Sequence, residues 1–317
     1  MSVSEHGYFR PLPPLNQFRE AEDPARWPRR WWINGLLLLF TLVTTTVYGA
    51  AVASSFYAGQ PFTADLIWAG YPLLIQGNTA ILRGLMFSLP LLAILLAHEL
   101  GHYVACRRSG VDATLPFFLP SPLLLGTFGA FIRIKSPIFT RRALFDIGVS
   151  GPIAGFVALL PFLAAGIAQS RVIPHVATSG DFVFGTPLLI RFVEWLRFPG
   201  IAVGDIALHP FAQAAWAGLL ATAINLLPVG QLDGGHILYA LLGRVHKMVS
   251  RLFLVLLLAM AYFSLSWLFW AVILFILGTR HPLVYDDLPL DTKRRWIAAA
   301  AFAILIISLS LTPVRMR

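Results

Sequence analysis

The chain has 317 residues, of which 57% are hydrophobic and 12% are charged, about half the charged fraction of a soluble domain. Its one cysteine, Cys106, excludes an intrachain disulfide and therefore a disulfide-stapled secreted module. The net charge of +9 would suit a nucleic-acid-binding protein. However, the apolar residues form long runs, so we expect an integral membrane protein without a nucleic-acid partner.

The N-terminal 33 residues are polar and rich in proline. They contain four acidic residues and lack the apolar core of a cleavable signal peptide. We therefore predict a polar cytoplasmic segment over residues 1–33 and a polytopic membrane domain over residues 34–317. The Arg29-Arg30 pair before the first apolar run is typical of a cationic stop with a tryptophan anchor, although a twin-arginine export signal shares this pattern.

Six apolar runs follow, and each is long enough, or nearly so, to cross a hydrocarbon core of about 30 Å as a helix. The runs cover residues 33–53, 85–106, 147–168, 211–227, 252–278 and 297–311. We therefore predict an all-α integral membrane protein with about six transmembrane helices. The fifth run is long for one helix and short for two, which leaves the topology after residue 250 open.

The arginine and lysine residues lie mainly in alternate connections. The N-terminal segment and the connections after the second and fourth runs hold fourteen of them, whereas the two connections between hold four. Because cytoplasmic loops carry the excess of positive charge, we expect a cytoplasmic N-terminus. The second run then ends at the cytoplasmic face.

Two connections have a pattern of their own. Residues 187–196 place Arg191 and Glu194 on one stripe among apolar side chains, which predicts a helix lying in the membrane interface. Residues 127–135 alternate in polarity after a proline-rich stretch, which predicts a small membrane-associated β segment. Asp146 stands just before the third apolar run, where we expect it to cap the helix.

Two acids lie well within apolar surroundings, where a carboxylate is costly and marks a functional site by default. One is Glu99, in the run His98-Glu99-Leu100-Gly101-His102. On a helix, His98 and His102 lie one turn apart and can bind a metal ion together, with Glu99 placed to take a proton from metal-bound water. This is the HExxH pattern of zinc metalloproteases. The alternative is that the two histidines bind no metal and are buried and hydrogen-bonded between helices.

The second acid, Asp233, is the favoured third ligand, which a catalytic zinc needs besides an open position for water. It lies in a stretch broken by Pro228 and three glycines. Broken helix within a bilayer is tolerated where it is buried in protein or lines a wet cavity. Asp233 precedes Arg244, at the cytoplasmic edge, by eleven residues. At the rise of a helix, its depth in the membrane is therefore similar to that of the two histidines. His236 and Cys106 are the competing ligands.

Together these motifs resemble the site-2 protease family of intramembrane zinc metalloproteases. Asn225 precedes Asp233 by eight residues, with Pro228 between them and two glycines after, as in the second signature of that family. The small residues at 148–155 resemble the family's motif between its two catalytic spans, and independently of the resemblance their spacing predicts close packing between helices. Residues 126–130 resemble the start of its membrane-associated β segment.

The resemblance implies one zinc ion per chain, bound by His98, His102 and Asp233. It implies Glu99 as the catalytic base and acid, and Asn225 as a residue that orients or polarises groups near the scissile carbonyl. The implied activity is hydrolysis of a peptide bond in or near the transmembrane segment of a single-pass membrane protein in the same lipid bilayer.

The resemblance covers about residues 80–250, which is the expected catalytic core. Many members of the family insert a PDZ domain between the third and fourth spans. Residues 169–210 are too few for such a domain, so the chain resembles the compact, PDZ-less bacterial type. Twenty-one arginines against three lysines indicate a GC-rich bacterial genome, and with it a bacterial inner membrane.

A catalytically inactive relative and a transporter-like membrane binding protein are the alternatives to a protease. An inactive relative would have lost Glu99 or a metal ligand, and a transporter would be expected to contain internal repeats. The sequence retains Glu99 and the candidate metal ligands, and it shows no internal repeat. Other membrane metalloenzymes fit less well, because the only later glutamate, Glu194, lies in an outside connection and the remaining histidines are scattered.

Overall fold

The structure is a computed structural model, and it describes residues 31–75, 77–277, 284 and 288–316. The polar segment predicted over residues 1–33 therefore lies outside the described residues as far as residue 30. Within the described ranges α-helices dominate and the strands are short, as expected for a mostly helical membrane protein with a small β segment.

The described residues form ten α-helices and six short strands. In chain order the helices are α1 Trp31–Ala58, α2 Ala64–Ile75, α3 Asn78–Arg108, α4 Arg141–Gln169, α5 Leu188–Arg197, α6 Pro210–Asn225, α7 Asp233–Leu242, α8 His246–Met260, α9 Leu265–Leu277 and α10 Thr292–Ser308. The strands are β1 Phe117–Pro120, β2 Thr127–Phe131, β3 Arg171–Val172, β4 Phe182–Phe184, β5 Ile206–Ala207 and β6 Val314–Met316. They form three antiparallel pairs, β1–β2, β3–β5 and β4–β6.

Among the described residues, three helices are long and apolar enough to cross a membrane. These are α1, α3 and α4, with 28, 31 and 29 residues, and they correspond to the first three predicted spans. The later runs correspond to shorter helices: the fourth to α6, the fifth to α8 and α9, and the sixth to α10. The chain is a membrane protein by its apolar helices, and the total of six spans stays a prediction.

Helix α4 begins earlier than the sequence predicted. Thr140 is its N-cap, and the Thr140 side chain accepts a hydrogen bond from the Ala143 N–H. The prediction that Asp146 caps this helix is wrong, because Asp146 lies in the second turn. Its carboxylate instead accepts two hydrogen bonds from Arg294, of 2.8 and 2.6 Å. This ion pair ties the start of α10 to α4.

The β1–β2 hairpin lies where the sequence predicted a β segment, and side chains of α1 hold it. Asn34 Nδ2 donates to two carbonyl oxygens just before β1, at 3.1 and 2.9 Å. Thr44 Oγ1 donates to the Gly126 carbonyl oxygen at 2.7 Å. Between the strands, Leu125 has a φ of 64°, which is uncommon for a residue other than glycine.

Small residues bring the long helices close together, as in other membrane helix pairs. A Cβ atom added to Gly84 of α3 would lie 2.5 Å from the Thr46 carbonyl oxygen of α1. One added to Gly101, farther along α3, would lie 2.5 Å from the Ser150 carbonyl oxygen of α4. Helix α3 is therefore packed tightly between α1 and α4, which fixes the position of the histidines that it carries.

Candidate metal centre

Three of the predicted ligands converge where α7 meets α3. His98 and His102 lie one turn apart on α3, and Asp233 is the first residue of α7. His102 Nε2 lies 3.1 Å from His98 Nε2, and each of these nitrogens lies 3.2 Å from Asp233 Oδ2. Donor atoms bound tetrahedrally to zinc at 2.0–2.1 Å are roughly 3.3 Å apart. The spacing of the three atoms therefore fits one tetrahedral metal ion.

A backbone carbonyl of α4 orients one of the imidazoles. His102 Nδ1 lies 2.7 Å from the Ile147 carbonyl oxygen. Because a carbonyl oxygen only accepts, Nδ1 carries the hydrogen, and Nε2 presents its lone pair toward the centre. Sequence reasoning missed this partner, since a backbone carbonyl leaves no mark in a side-chain pattern.

Two glycines of α4 make room for the imidazoles. A Cβ atom on Gly151 would lie 2.1 Å from His102 Nε2, and one on Gly155 would lie 3.1 Å from His98 Cβ. The sequence predicted that small residues in this part of α4 serve close helix packing. Gly151 and Gly155 also leave the space that the two imidazoles occupy. The glycines are four residues apart, as the histidines are, and this matching spacing is the sequence signal that could have predicted the contact.

The interruption between α6 and α7 brings Asp233 to the centre. The chain turns through residues 226–232, and α7 starts again at Asp233. A Cβ atom on Gly234 would lie 1.9 Å from a carbonyl oxygen of this turn, and one on Gly235 would lie 2.4 Å from another. Both positions therefore require glycine, because any side chain would push the start of α7 away from the turn.

Helix α8 anchors the same turn through a buried hydroxyl group. Ser250 Oγ donates to the Pro228 carbonyl oxygen at 3.1 Å, and His246 Nε2 lies 3.1 Å from the same hydroxyl. Both side chains are buried. Sequence reasoning assigned no role to either residue, because they lie in the connection between the fourth and fifth apolar runs.

The two predicted catalytic residues lie beside the ligands. Glu99 is buried on α3, and its carboxylate interacts with His98, His102, Asp233 and the backbone N–H of Ile132, just after β2. Asn225 is the last residue of α6, and its Nδ2 lies 3.3 Å from His98 Nε2. The structure thus brings together all five residues that the sequence singled out.

Neither competing ligand belongs to this group. In the part of the chain that the structure describes, the ligand atoms that could hold a metal ion together are those of the two histidines and Asp233. Cys106 is fully buried in an apolar cluster with two aliphatic residues. His236 packs against α4, where a Cβ atom on Gly148 would lie 2.9 Å from the His236 Cβ.

Comparison with known proteins places this centre in a family. The family model described as Peptidase family M50 matches residues 86–268, more than half of the chain, and the match includes all five site residues. The chain belongs to peptidase family M50. The resemblance to the site-2 proteases, which rests on the same motifs, is thereby confirmed.

Curated relatives extend the likeness beyond the motifs. The chain is 32% identical over 243 residues to "Probable zinc metalloprotease EGY1, chloroplastic" of Oryza sativa subsp. japonica, which covers 71% of this chain and 40% of the relative. It is 34% identical over 242 residues to "Probable zinc metalloprotease EGY2, chloroplastic" of Arabidopsis thaliana, which covers 74% of this chain and 42% of the relative. The chain therefore spans less than half the length of these relatives.

Proposed function

We propose that this protein is an intramembrane zinc metalloprotease that hydrolyses a peptide bond in or near the transmembrane segment of a membrane-anchored substrate. The proposal rests on the convergence of His98, His102 and Asp233 beside Glu99, with both histidines inside a helix long and apolar enough to cross a membrane. Membership of peptidase family M50 and the names of the relatives, which are zinc metalloproteases, support the same ion and reaction.

Each site residue has a chemical role in this proposal. His98, His102 and Asp233 would hold the zinc ion, which would lower the pKa of a bound water and polarise the substrate carbonyl. Glu99 accepts the proton of the attacking water and returns it to the leaving amine. Asn225 donates through Nδ2 to the substrate carbonyl oxygen, because this group already lies at the edge of the ligand cluster.

Strand β2 is the proposed docking edge for the substrate. A helical substrate holds its carbonyl groups in internal hydrogen bonds, so it must unwind before cleavage. Within the described residues, β2 is paired with β1 alone, and it leads directly to Ile132, whose N–H interacts with Glu99. An extended chain added to the other edge of β2 would therefore run toward the site.

The variant Glu99→Gln tests the reaction. We expect cleavage of a membrane-tethered reporter to fall by about 10²–10⁴-fold, because an amide cannot accept the proton, while zinc content and folding stay unchanged. Asp112→Asn makes the same chemical change at an exposed carboxylate and should leave cleavage normal. Cleavage at the wild-type rate by the Glu99→Gln protein would contradict the proposal.

Metal content tests the choice of third ligand. We expect Asp233→Asn to weaken zinc binding by more than about 100-fold, because it removes a charged ligand. His236→Gln should retain stoichiometric zinc, measured by elemental analysis of the purified protein. If the two variants lost zinc equally, His236 would have to be counted among the ligands.

We further propose that the N-terminus is cytoplasmic and that the protein resides in a bacterial inner membrane. The excess of arginine and lysine in alternate connections supports the orientation, and the high ratio of arginine to lysine supports the bacterial source. In this orientation the centre lies near the cytoplasmic face. A reporter fused to the N-terminus should be accessible to cytoplasmic reagents only.

A further inference from the structure

A cavity of about 360 Å³ lies away from the candidate metal centre. Its walls come from the C-terminal half of α1 and the loop after it, the first half of α3, α5, the first half of α6, and the strands and loops between α4 and α6. Leu125 between β1 and β2 and Thr312 before β6 complete the lining. On α3, the lining residue Phe87 precedes His98 by eleven residues, about 16 Å along the helix. The volume is in the range of small-molecule binding sites, so this cavity can hold a ligand of its own.

Helix α5 presents a buried carboxyl group to this cavity. Glu194 is 3% exposed, whereas Phe192 and Trp195 on the outer face of the helix are 55% and 62% exposed. Among the described residues, no hydrogen-bond partner reaches the buried Oε2 atom of Glu194. Burial raises the pKa of this carboxyl to about 7, although the nearby Arg191 guanidinium lowers it. A buried oxygen without a partner is costly, which indicates that a ligand supplies the donor.

Aromatic rings form much of the remaining wall. The ring centroids of Tyr48 and Phe62 are 5.7 Å apart, those of Phe62 and Phe184 are 6.2 Å apart, and those of Phe184 and Trp216 are 5.0 Å apart. All four side chains line the cavity. The face of an aromatic ring attracts a cation, and the attraction grows when the cation is removed from water.

Two of the other polar side chains in the lining already have partners. Ser55 Oγ donates to the Gln60 carbonyl oxygen at 2.6 Å, and Gln213 Nε2 donates to the Leu208 carbonyl oxygen at 2.9 Å. A well-bound water needs roughly two to four polar partners, and aromatic walls offer few. Glu194 is the one acidic residue in the described lining, so its carboxyl group is the feature that a cationic ligand would recognise.

We propose that this cavity is a binding site for a primary ammonium ligand with an apolar body. The ammonium group donates a hydrogen bond to Glu194 Oε2 and pairs with its charge, and the apolar body packs against the aromatic rings. Two sources share this chemistry, namely a small arylalkyl amine and the headgroup of an aminophospholipid. The site is separate from the metal centre, and the proposal does not depend on proteolysis.

Binding of phenethylammonium to the purified full-length protein in detergent tests the proposal. At pH 8, where an alkylammonium stays charged, we expect equilibrium dialysis to show saturable binding that Glu194→Gln weakens at least tenfold. Asp112→Asn is the matched control and should bind as the wild type does. The uncharged analogue 2-phenylethanol should bind at least tenfold more weakly and be insensitive to Glu194→Gln. Absence of binding to the wild type, or equal binding to the Glu194→Gln protein, would overturn the proposal.

A second variant leaves the carboxyl group in place and fills the cavity instead. Ala177 lines the cavity from a loop between β3 and β4, so Ala177→Trp should occupy ligand space without disturbing a helix. We expect phenethylammonium binding to fall at least tenfold in this variant as well. Binding that survives Ala177→Trp would place the ligand elsewhere and overturn the proposal.

Reconstitution in lipid nanodiscs separates the two sources. The discs contain equal amounts of phosphatidylethanolamine and phosphatidylcholine with the same acyl chains, and lipid that stays bound after detergent extraction is quantified by mass spectrometry. Only the primary ammonium group can donate a hydrogen bond to Glu194. Enrichment of phosphatidylethanolamine that disappears in Glu194→Gln assigns the site to the lipid headgroup. Equal lipid binding, together with Glu194-dependent binding of phenethylammonium, assigns it to a small amine.

Discussion

The metal centre and the aromatic cavity bury carboxylates in opposite ways. At the centre, Asp233 Oδ2 lies 3.2 Å from the Nε2 atoms of His98 and His102, so three ligand atoms from two helices surround the position of one metal ion. In the cavity, Glu194 is more deeply buried than Asp233, and its Oε2 atom has no hydrogen-bond partner among the described residues. The contrast teaches that a buried acid either has fixed partners from distant parts of the chain or lies beside a space that a partner could enter.

Gly151→Ala should produce the largest effect, and it tests how closely the metal centre is fitted. The added methyl group would lie 2.1 Å from His102 Nε2, so the imidazole must leave its position. We expect zinc affinity to fall by more than about 100-fold, and proteolysis with it. Gly35→Ala is the matched control, since a Cβ atom on Gly35 meets nothing within 4 Å. Unchanged zinc binding in Gly151→Ala would show that the His102 imidazole can move aside and still hold the ion.

The next effect concerns the cavity and depends on pH. The pKa of Glu194, about 7 in the folded protein, is raised above its ordinary value, so the folded state binds the proton more tightly than the unfolded chain does. The carboxyl group therefore costs little below about pH 4, and it destabilises the fold increasingly as pH rises through 7. Glu194→Gln should raise the free energy of unfolding by on the order of 2 kcal/mol at pH 8 and change it little at pH 4.5.

Thermal unfolding in detergent at the two pH values measures this difference. The amide has the shape of the protonated acid, so the variant and the wild type should unfold alike at the lower pH. A stabilisation of the same size at both pH values would mean that the pKa of Glu194 is the same in the folded protein and in the unfolded chain. The contrast between the two buried acids would then be one of packing alone.

Ser250→Ala should have the smallest effect, and it shows how the centre depends on its surroundings. The hydroxyl group holds the Pro228 carbonyl oxygen in the turn before Asp233. Its loss leaves a buried acceptor without that donor, so we expect a cost of about 1–2 kcal/mol in the free energy of unfolding and a several-fold weaker zinc affinity. Ser54→Ala is the control, because its hydroxyl donates only within its own helix, to the Ala51 carbonyl oxygen at 2.8 Å. Zinc affinity that is equal in the two variants would argue against the anchoring role.

The features that the sequence predicted well are those that depend on a local pattern of neighbouring residues. Apolar runs gave the positions of α1, α3 and α4, and the one-turn spacing of His98 and His102 placed both on one face of a helix. The helix at residues 187–196 was predicted as well, and the structure has it as Leu188–Arg197. The connection between α4 and α6 is formed by short strands, α5 and a 3-10 helix at Val203–Asp205.

The features that the sequence did not predict depend on contacts between distant segments. Strand pairs of two or three residues, such as β3–β5 and β4–β6, carry too little alternation to be recognised before their partners are known. The sequence predicted that Arg191 and Glu194 share one stripe of α5, but it did not predict which of the side chains on this helix face the protein interior. A periodic pattern shows which side chains share a face, whereas only packing shows that Glu194 lies inside while Trp195 lies outside.

The separation of the ligands along the chain also sets the order in which the metal centre can form. His102 and Asp233 are 131 residues apart, and they meet only after α7 has docked against α3. At roughly 5–20 residues per second, a ribosome needs on the order of 10 s to add the intervening chain. Helices α3 and α4, with Gly151 already beside the imidazole, are thus made well before Asp233 exists. The nascent protein therefore stays without its third ligand, and so without a complete metal centre, until α1, α3 and α4 have been made.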